Sequence, residues 1–414
     1  MEKTIAIKTD SYSITIAQAA ERLENICRTY LEKDSSGNYA IPVNRQRPVM
    51  LIGPAGIGKT DIPKQTAEKL DIGYVSYSIT HHTRQSALGL PKIVTRTYNG
   101  NEVATTEYTA SEIVTSVRDE IEKSGKANGI LFIDEVNCAS ETLAAPMLQL
   151  FQNKTLGQSK IPDGWILVMA GNPPEYNKSV KEFDAVTRDR LRIINVIPDG
   201  VAWLDYAAKR GLNPIVTAFI TSDPSKIYAF DEDNIGIVSP RGWEELCITI
   251  DAYERNNFPV TADLVAQFIG IPAAANEFYN YYILVKETIT EEEIELIVRG
   301  KADKELIKKL SNISVNIRFM LIECMKRKLR KCAISGDLNA VNEMMNNIAD
   351  FVKKVYGSNG EIEMFMSSIL TDSDIVKAAI ITHNEHFGKY LDDVTTAESA
   401  IKKKIKKTAA RKSS

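Results

Sequence analysis

The sequence predicts an α/β chain: a parallel sheet flanked by helices and carrying two inserted β-hairpins, then an α-helical lid and an α-helical C-terminal region. Three observations predict it. Gly53-Pro54-Ala55-Gly56-Ile57-Gly58-Lys59-Thr60 follows the apolar run Val49-Met50-Leu51-Ile52 and fills every fixed position of G-x-x-x-x-G-K-[ST], the strand, glycine turn and helix start of a phosphate-binding loop. Gly129-Ile130-Leu131-Phe132-Ile133-Asp134-Glu135 is an apolar run ending in two carboxylates, as in a parallel strand buried on both faces with its acids at the ligand-binding edge of the sheet. Beyond about residue 200 the strand signal largely stops and helical periodicity takes over.

Composition narrows the class. At 414 residues the chain is long enough for two or three compact units, and 44% apolar with 25% charged residues is a globular mixture rather than a disordered one. A net charge of −3 excludes a chain that acts as a whole as an electrostatic sink for nucleic acid. No apolar run is long enough to span a bilayer and the first residues lack a secretory layout, so a cytoplasmic chain without membrane contact is expected. Cys27, Cys138, Cys247, Cys324 and Cys332 are odd in number and widely spread, which suggests buried thiols rather than a disulfide framework or zinc site. His81 and His82 have no further ligand at metal spacing, so they are expected to be polar loop residues.

In chain order, residues up to about 48 form an N-terminal segment with a helical pattern through Ile16, Ala19, Ala20, Leu23 and Ile26 and a turn at Asp34-Ser35-Ser36-Gly37-Asn38. The nucleotide-binding core spans 49–200. Within it the phosphate loop is followed by a helix to about Leu70, a strand over 72–79, and a hairpin over 92–108 about Asn99-Gly100, a type I′ signal. A helix over 110–126, the Asp134-Glu135 strand, a helix over 143–151, a second hairpin over 154–161 about Leu156-Gly157, and a buried strand from Trp165 to Ala170 complete it. Residues 201–275 are expected to be a helical lid, in which Ser239-Pro240 reads as cap and first helical position, putting Arg241 in the first turn. Residues 276–395 are helical, with Leu338, Val341, Met345, Ile348, Val352 and Val355 forming an apolar stripe suited to core packing. Residues 396–414 are a basic tail expected to be disordered.

The chemistry follows from residue types. Glycines let the loop close its backbone N–H groups around phosphate oxygens, so residues 53–60 together are expected to hold a nucleotide. Lys59 reaches the β- and γ-phosphates, and Thr60 with Asp134 offers oxygen ligands to Mg²⁺. Glu135 is placed to orient and deprotonate an attacking water, although Asp-Glu after a strand also suits a helix cap. A guanine reader is excluded, because Asn153-Lys154 is followed by Thr155-Leu156 instead of completing N-K-x-D.

"GPAGIGKT", "ILFIDEVN", "WILVMAGNPPEYN", "FDAVTRDRLR" and "SPRGW", with the two hairpins, resemble the AAA+ ATPases and within them the MoxR-like group, related to dynein and midasin modules. The resemblance covers about residues 45–275. It implies ATP and Mg²⁺ as ligands of the Walker A and Walker B motifs and Asn172 as a sensor of the γ-phosphate, where a turn cap is the plainer reading. It implies Arg190 as an arginine reaching into a neighbouring subunit's site, with Arg188 second and Arg192 a surface alternative, and Arg241 as a second sensor that contacts nucleotide. It further implies a homo-oligomeric ring, a hexamer, acting as a chaperone-like remodeller of partner proteins, including one with a von Willebrand factor A domain. Two alternatives stay open. One is a nucleic-acid motor or loader using Lys402, Lys403, Lys404, Lys406, Lys407, Arg411 and Lys412; the other is an interaction protein that uses ATP only as a switch.

Overall fold

The structure, a computed structural model, describes residues 12–387 apart from 82, 177–179, 181–182, 234–235, 357–368 and 370–371. The basic tail and His82 lie outside the described residues. Thr15 ends the short strand β1 (Ile14–Thr15) and starts α1 (Ile16–Leu31) through a capping box with Gln18, and Ala19, Leu23, Ile26, Cys27 and Tyr30 form that helix's buried face. β2 (Val49–Ile52), the phosphate loop, α2 (Asp61–Leu70), β3 (Gly73–Ser78) and the short α3 (Arg84–Leu88) follow.

β4 (Pro91–Tyr98) and β5 (Asn101–Tyr108) pair antiparallel about Asn99-Gly100, whose φ angles of 50° and 83° are those of the expected type I′ turn. After α4 (Glu112–Ser124), β6 (Gly129–Asp134) and α5 (Glu141–Asn153) comes the second hairpin, β7 (Thr155–Leu156) with β8 (Ser159–Lys160). It turns on Gly157-Gln158, one residue later than the spacing predicts, because Leu156 is drawn into the core and pairs with Ser159. β9 (Trp165–Gly171), α6 (Ala185–Asp189) and β10 (Arg192–Ile197) end the α/β region.

Six strands form one sheet in the order β1-β10-β2-β9-β6-β3, and every pairing in it is parallel. Its two faces are separate cores. Leu131 and Ile133 of β6 and Leu167 and Met169 of β9 face one side, while Ile130 and Phe132, Ile166 and Val168 face the other. That alternation is why these strands read as unbroken apolar runs. Because all strands run the same way, the loop after β2, Asp134 at the end of β6, Asn172 after β9 and Ser78 at the end of β3 share one edge.

Beyond β10 come α7 (Gly200–Arg210), α8 (Pro214–Ser222), a small antiparallel pair β11 (Ala229–Asp231) and β12 (Gly236–Val238), and α9 (Pro240–Arg255). Then follow α10 (Ala262–Ala266), α11 (Pro272–Thr288), α12 (Glu291–Val298), α13 (Lys304–Ser311), α14 (Val315–Ser335), α15 (Leu338–Tyr356) and α16 (Ser373–Ile381). The chain divides into two compact units. Of the described residues, the first holds those up to Ala202 with Ile227–Gly242, and the second holds Trp203–Lys226 with those from Trp243 onward.

The second unit is built on aromatic contacts, with Phe219, Trp243 and Phe278 ring centroids 5.3 to 5.7 Å apart. Its stripe on α15 is core packing in the middle, where Val341, Met345, Ile348 and Val352 are buried. Leu338 at the helix start is exposed instead, and Val355 is half-buried. Of the five cysteines, Cys27, Cys247 and Cys324 are buried, while Cys138 and Cys332 are only half-buried. No helix among the described residues is long and apolar enough to cross a membrane.

Candidate nucleotide site

β2 delivers the phosphate loop to the shared sheet edge, and the end of β9 anchors it: Gly53 N donates to Gly171 O at 3.3 Å. Further round, Gly56 has φ 76°, and a Cβ there would lie 2.8 Å from Ser239 Oγ. Only glycine fits on both counts. Arg241 N donates to Gly56 O at 3.2 Å, and Ser239 Oγ accepts from Gly242 N at 3.2 Å, so Ser239 caps α9 with Pro240 first in the helix. Arg241 thus begins α9 beside the loop with its side chain exposed. Pro54 and Ile57 are buried, Ile57 in the core of the sheet face that α1 covers, and Ala55 and Gly58 are half-exposed.

Lys59 is 7% exposed. Its Nζ donates to Gly53 O at 2.8 Å, Pro54 O at 2.6 Å and Asn172 Oδ1 at 2.9 Å, giving each ammonium proton an acceptor. Burial pushes the Lys59 amine down to about 8; the nearby Asp134 carboxylate opposes that shift and the Arg241 charge adds to it.

Thr60 stands at the N-cap of α2 but does not cap it. Its hydroxyl instead donates to Asp134 Oδ2 at 2.8 Å, while Asp134 Oδ1 accepts from Glu135 N at 2.9 Å. A hydroxyl and a carboxylate oxygen held together are the donor set of a hard cation. Among the described residues no group of three His, Cys, Asp or Glu side chains gathers to hold a metal, and a Mg²⁺ ion carried mainly by phosphates needs only one or two protein oxygens. The glycine cradle, the buried ammonium and the Thr60–Asp134 pair together fit a Mg²⁺-bound polyphosphate.

Glu135 has φ 54° and ψ 31°, a left-handed turn that breaks the strand direction after Asp134. Its Oε2 accepts from Thr80 Oγ1 at 2.9 Å and Ser78 Oγ at 3.3 Å. Neither hydroxyl stands out in the sequence. The parallel register Ser78↔Asp134 brings them to Glu135, and that register is visible only once the strands are paired.

The arginines divide. Arg241 joins the loop, whereas Arg188 near the end of α6 and Arg190 at its C-cap are exposed, and among the described residues neither guanidinium has a hydrogen bond or ion pair. Asp189 between them faces Arg47 at 3.8 Å.

No curated protein matches the chain. Residues 48–191 match the family model of the AAA domain, dynein-related subfamily, a span running from the residue before β2 to the residue before β10. The glycine loop and carboxylate pair at the edge of a parallel sheet therefore belong to an AAA+ ATPase domain within this chain.

Proposed function

We propose that the chain is a Mg²⁺-dependent ATPase of the MoxR-like kind, working as a ring, a hexamer, that remodels or matures partner proteins, among them one with a von Willebrand factor A domain. The observation that carries the reading is the convergence on one loop of Lys59 with Asn172 and Thr60 with Asp134. When bound, Mg²⁺ would neutralise charge on the phosphates at the Thr60 and Asp134 oxygens. Residues 53–60 hold the phosphates, and Lys59 exchanges one of its loop acceptors for a phosphate oxygen. Glu135 takes the proton of the attacking water, and Asn172 reports on the terminal phosphate. Arg241 contacts the nucleotide from the start of α9.

Arg190 is assigned to the neighbouring subunit's site. Its exposure and lack of partners support this assignment, because a cation stabilising phosphoryl transfer from outside must be free to reach.

Glu135→Gln is expected to bind ATP yet turn it over at least about 100-fold more slowly. Arg190→Ala is expected to retain binding and lose turnover by about 1,000-fold. Mixing the two inactive proteins should restore part of the activity, since some interfaces then pair an intact Glu135 with an intact Arg190. Full activity in Glu135→Gln defeats the role given to Glu135, and full activity in Arg190→Ala, or mixtures without recovery, defeat the ring with shared sites. Addition of a von Willebrand factor A domain protein is expected to change the ATP turnover rate; indifference to it removes that client.

A further inference from the structure

Asn137 lies in the one-turn 3₁₀ helix Val136–Cys138 directly after Glu135 and is 8% exposed. Its Nδ2 donates to the backbone carbonyl of Asn172 at 2.7 Å, the residue whose side chain accepts from Lys59. Its Oδ1 is buried and has no hydrogen-bond partner among the described residues. A Cβ added to Gly171 would lie 2.4 Å from that same Oδ1. The amide is therefore pressed against the backbone at the end of β9, and glycine at 171 is a condition for its being there.

Burying an amide oxygen without a partner is unfavourable. An apolar side chain of similar size would fill the space without that penalty, so packing alone does not account for asparagine. What the amide adds is one directed bond, from the turn that carries Glu135 to the strand end that carries Asn172. Gly53 N bonds to Gly171 O one residue earlier, so the loop, the Glu135 turn and Asn172 meet on two consecutive peptide groups. "DEVN" and "AGN", separate in sequence, form one unit of structure.

On the ATPase reading above, we propose that Asn137 is a positioning residue: it fixes Asn172 relative to Glu135 and Lys59, so that turnover rather than nucleotide affinity depends on it. It touches no reacting atom and acts through Asn172.

The test uses the full chain with four variants: Asn137→Ala, Asn137→Leu, Gly171→Ala, and the double variant Asn137→Ala/Gly171→Ala. Asn137→Leu keeps the buried volume and removes the donor. Gly171→Ala leaves asparagine in place and drives its amide away. Each single variant is expected to lower kcat by about 10- to 100-fold while KM, and the Kd for a slowly hydrolysed fluorescent ATP analogue, stay within about threefold of wild type. In the double variant the new methyl group occupies space the amide has left. Its Tm should therefore recover relative to Gly171→Ala while kcat stays as low as in Asn137→Ala, because both changes break the same bond.

A kcat within about twofold of wild type in Asn137→Leu or in the double variant overturns the proposal, as does a loss carried by KM and Kd instead of kcat. Wild-type chain that binds nucleotide without hydrolysing it overturns the ATPase reading itself, an outcome distinct from an active wild type with an active Asn137→Leu.

Discussion

Lys59 and Asn172 stand 113 residues apart in sequence and are joined by a 2.9 Å hydrogen bond from Nζ to Oδ1. The bond makes the loop lysine part of the packing at the end of β9, and the same burial holds its amine near 8. Phosphate oxygens favour the ammonium form and raise that value on binding. Nucleotide binding should therefore take up about half a proton per site near pH 8 and almost none near pH 6.5. Affinity should be flat below the free-state value of about 8 and fall as pH rises above it. Titration calorimetry in two buffers of different ionisation enthalpy measures the uptake; identical heats at pH 8 would count against it.

Glu135 is restrained by Ser78 and Thr80, so catalysis should feel the loss of either hydroxyl. Thr80→Val is expected to lower kcat by about tenfold with nucleotide affinity unchanged, since the carboxylate loses orientation and not charge. Steady-state turnover alongside equilibrium nucleotide binding separates the two quantities.

Gly56 meets Ser239 so closely that a methyl group has no room. Gly56→Ala should destabilise the first unit by about 1–2 kcal/mol through its left-handed backbone alone, with the contact adding to that. Nucleotide binding should be lost with it. A denaturant midpoint and an ATP affinity both equal to wild type would show that the loop can move aside.

Asp251 in α9 pairs with both terminal nitrogens of Arg327 in α14 and accepts from Asn213 Nδ2 at 2.7 Å. Asp251→Ala leaves a half-buried guanidinium and an amide without their acceptor, with an expected loss of about 3 kcal/mol. Asp251→Ala/Arg327→Met should recover most of that loss, because no unpaired charge remains. Chemical denaturation of the three proteins reads the coupling directly.

The loop, the apolar runs of β6 and β9 and the Asn99-Gly100 turn are legible in sequence because each is specified locally, by glycine spacing, double-sided burial or positive φ. β10 is not. Its six residues carry Arg192 and Asn195 among isoleucines and valine, and its place beside β2 is fixed by pairing. Ser78, Thr80 and Asn137 are hidden for the same reason: their roles arise from strand register and from a backbone turn at Glu135 that apolar patterning does not encode. Arg190 differs again, because its motif is recognisable while no described residue of its own chain receives the side chain.

The first unit is not one continuous stretch of chain: Ile227–Gly242 return to it after Trp203–Lys226 have gone to the second unit. During synthesis the glycine loop leaves the ribosome long before Ser239 and Arg241, the residues that wall in Gly56, have been made. A fragment ending at Ala202 would never acquire them. The nucleotide site can therefore be completed only after α7 and α8 have emerged, which makes its assembly a late event in the life of each new chain.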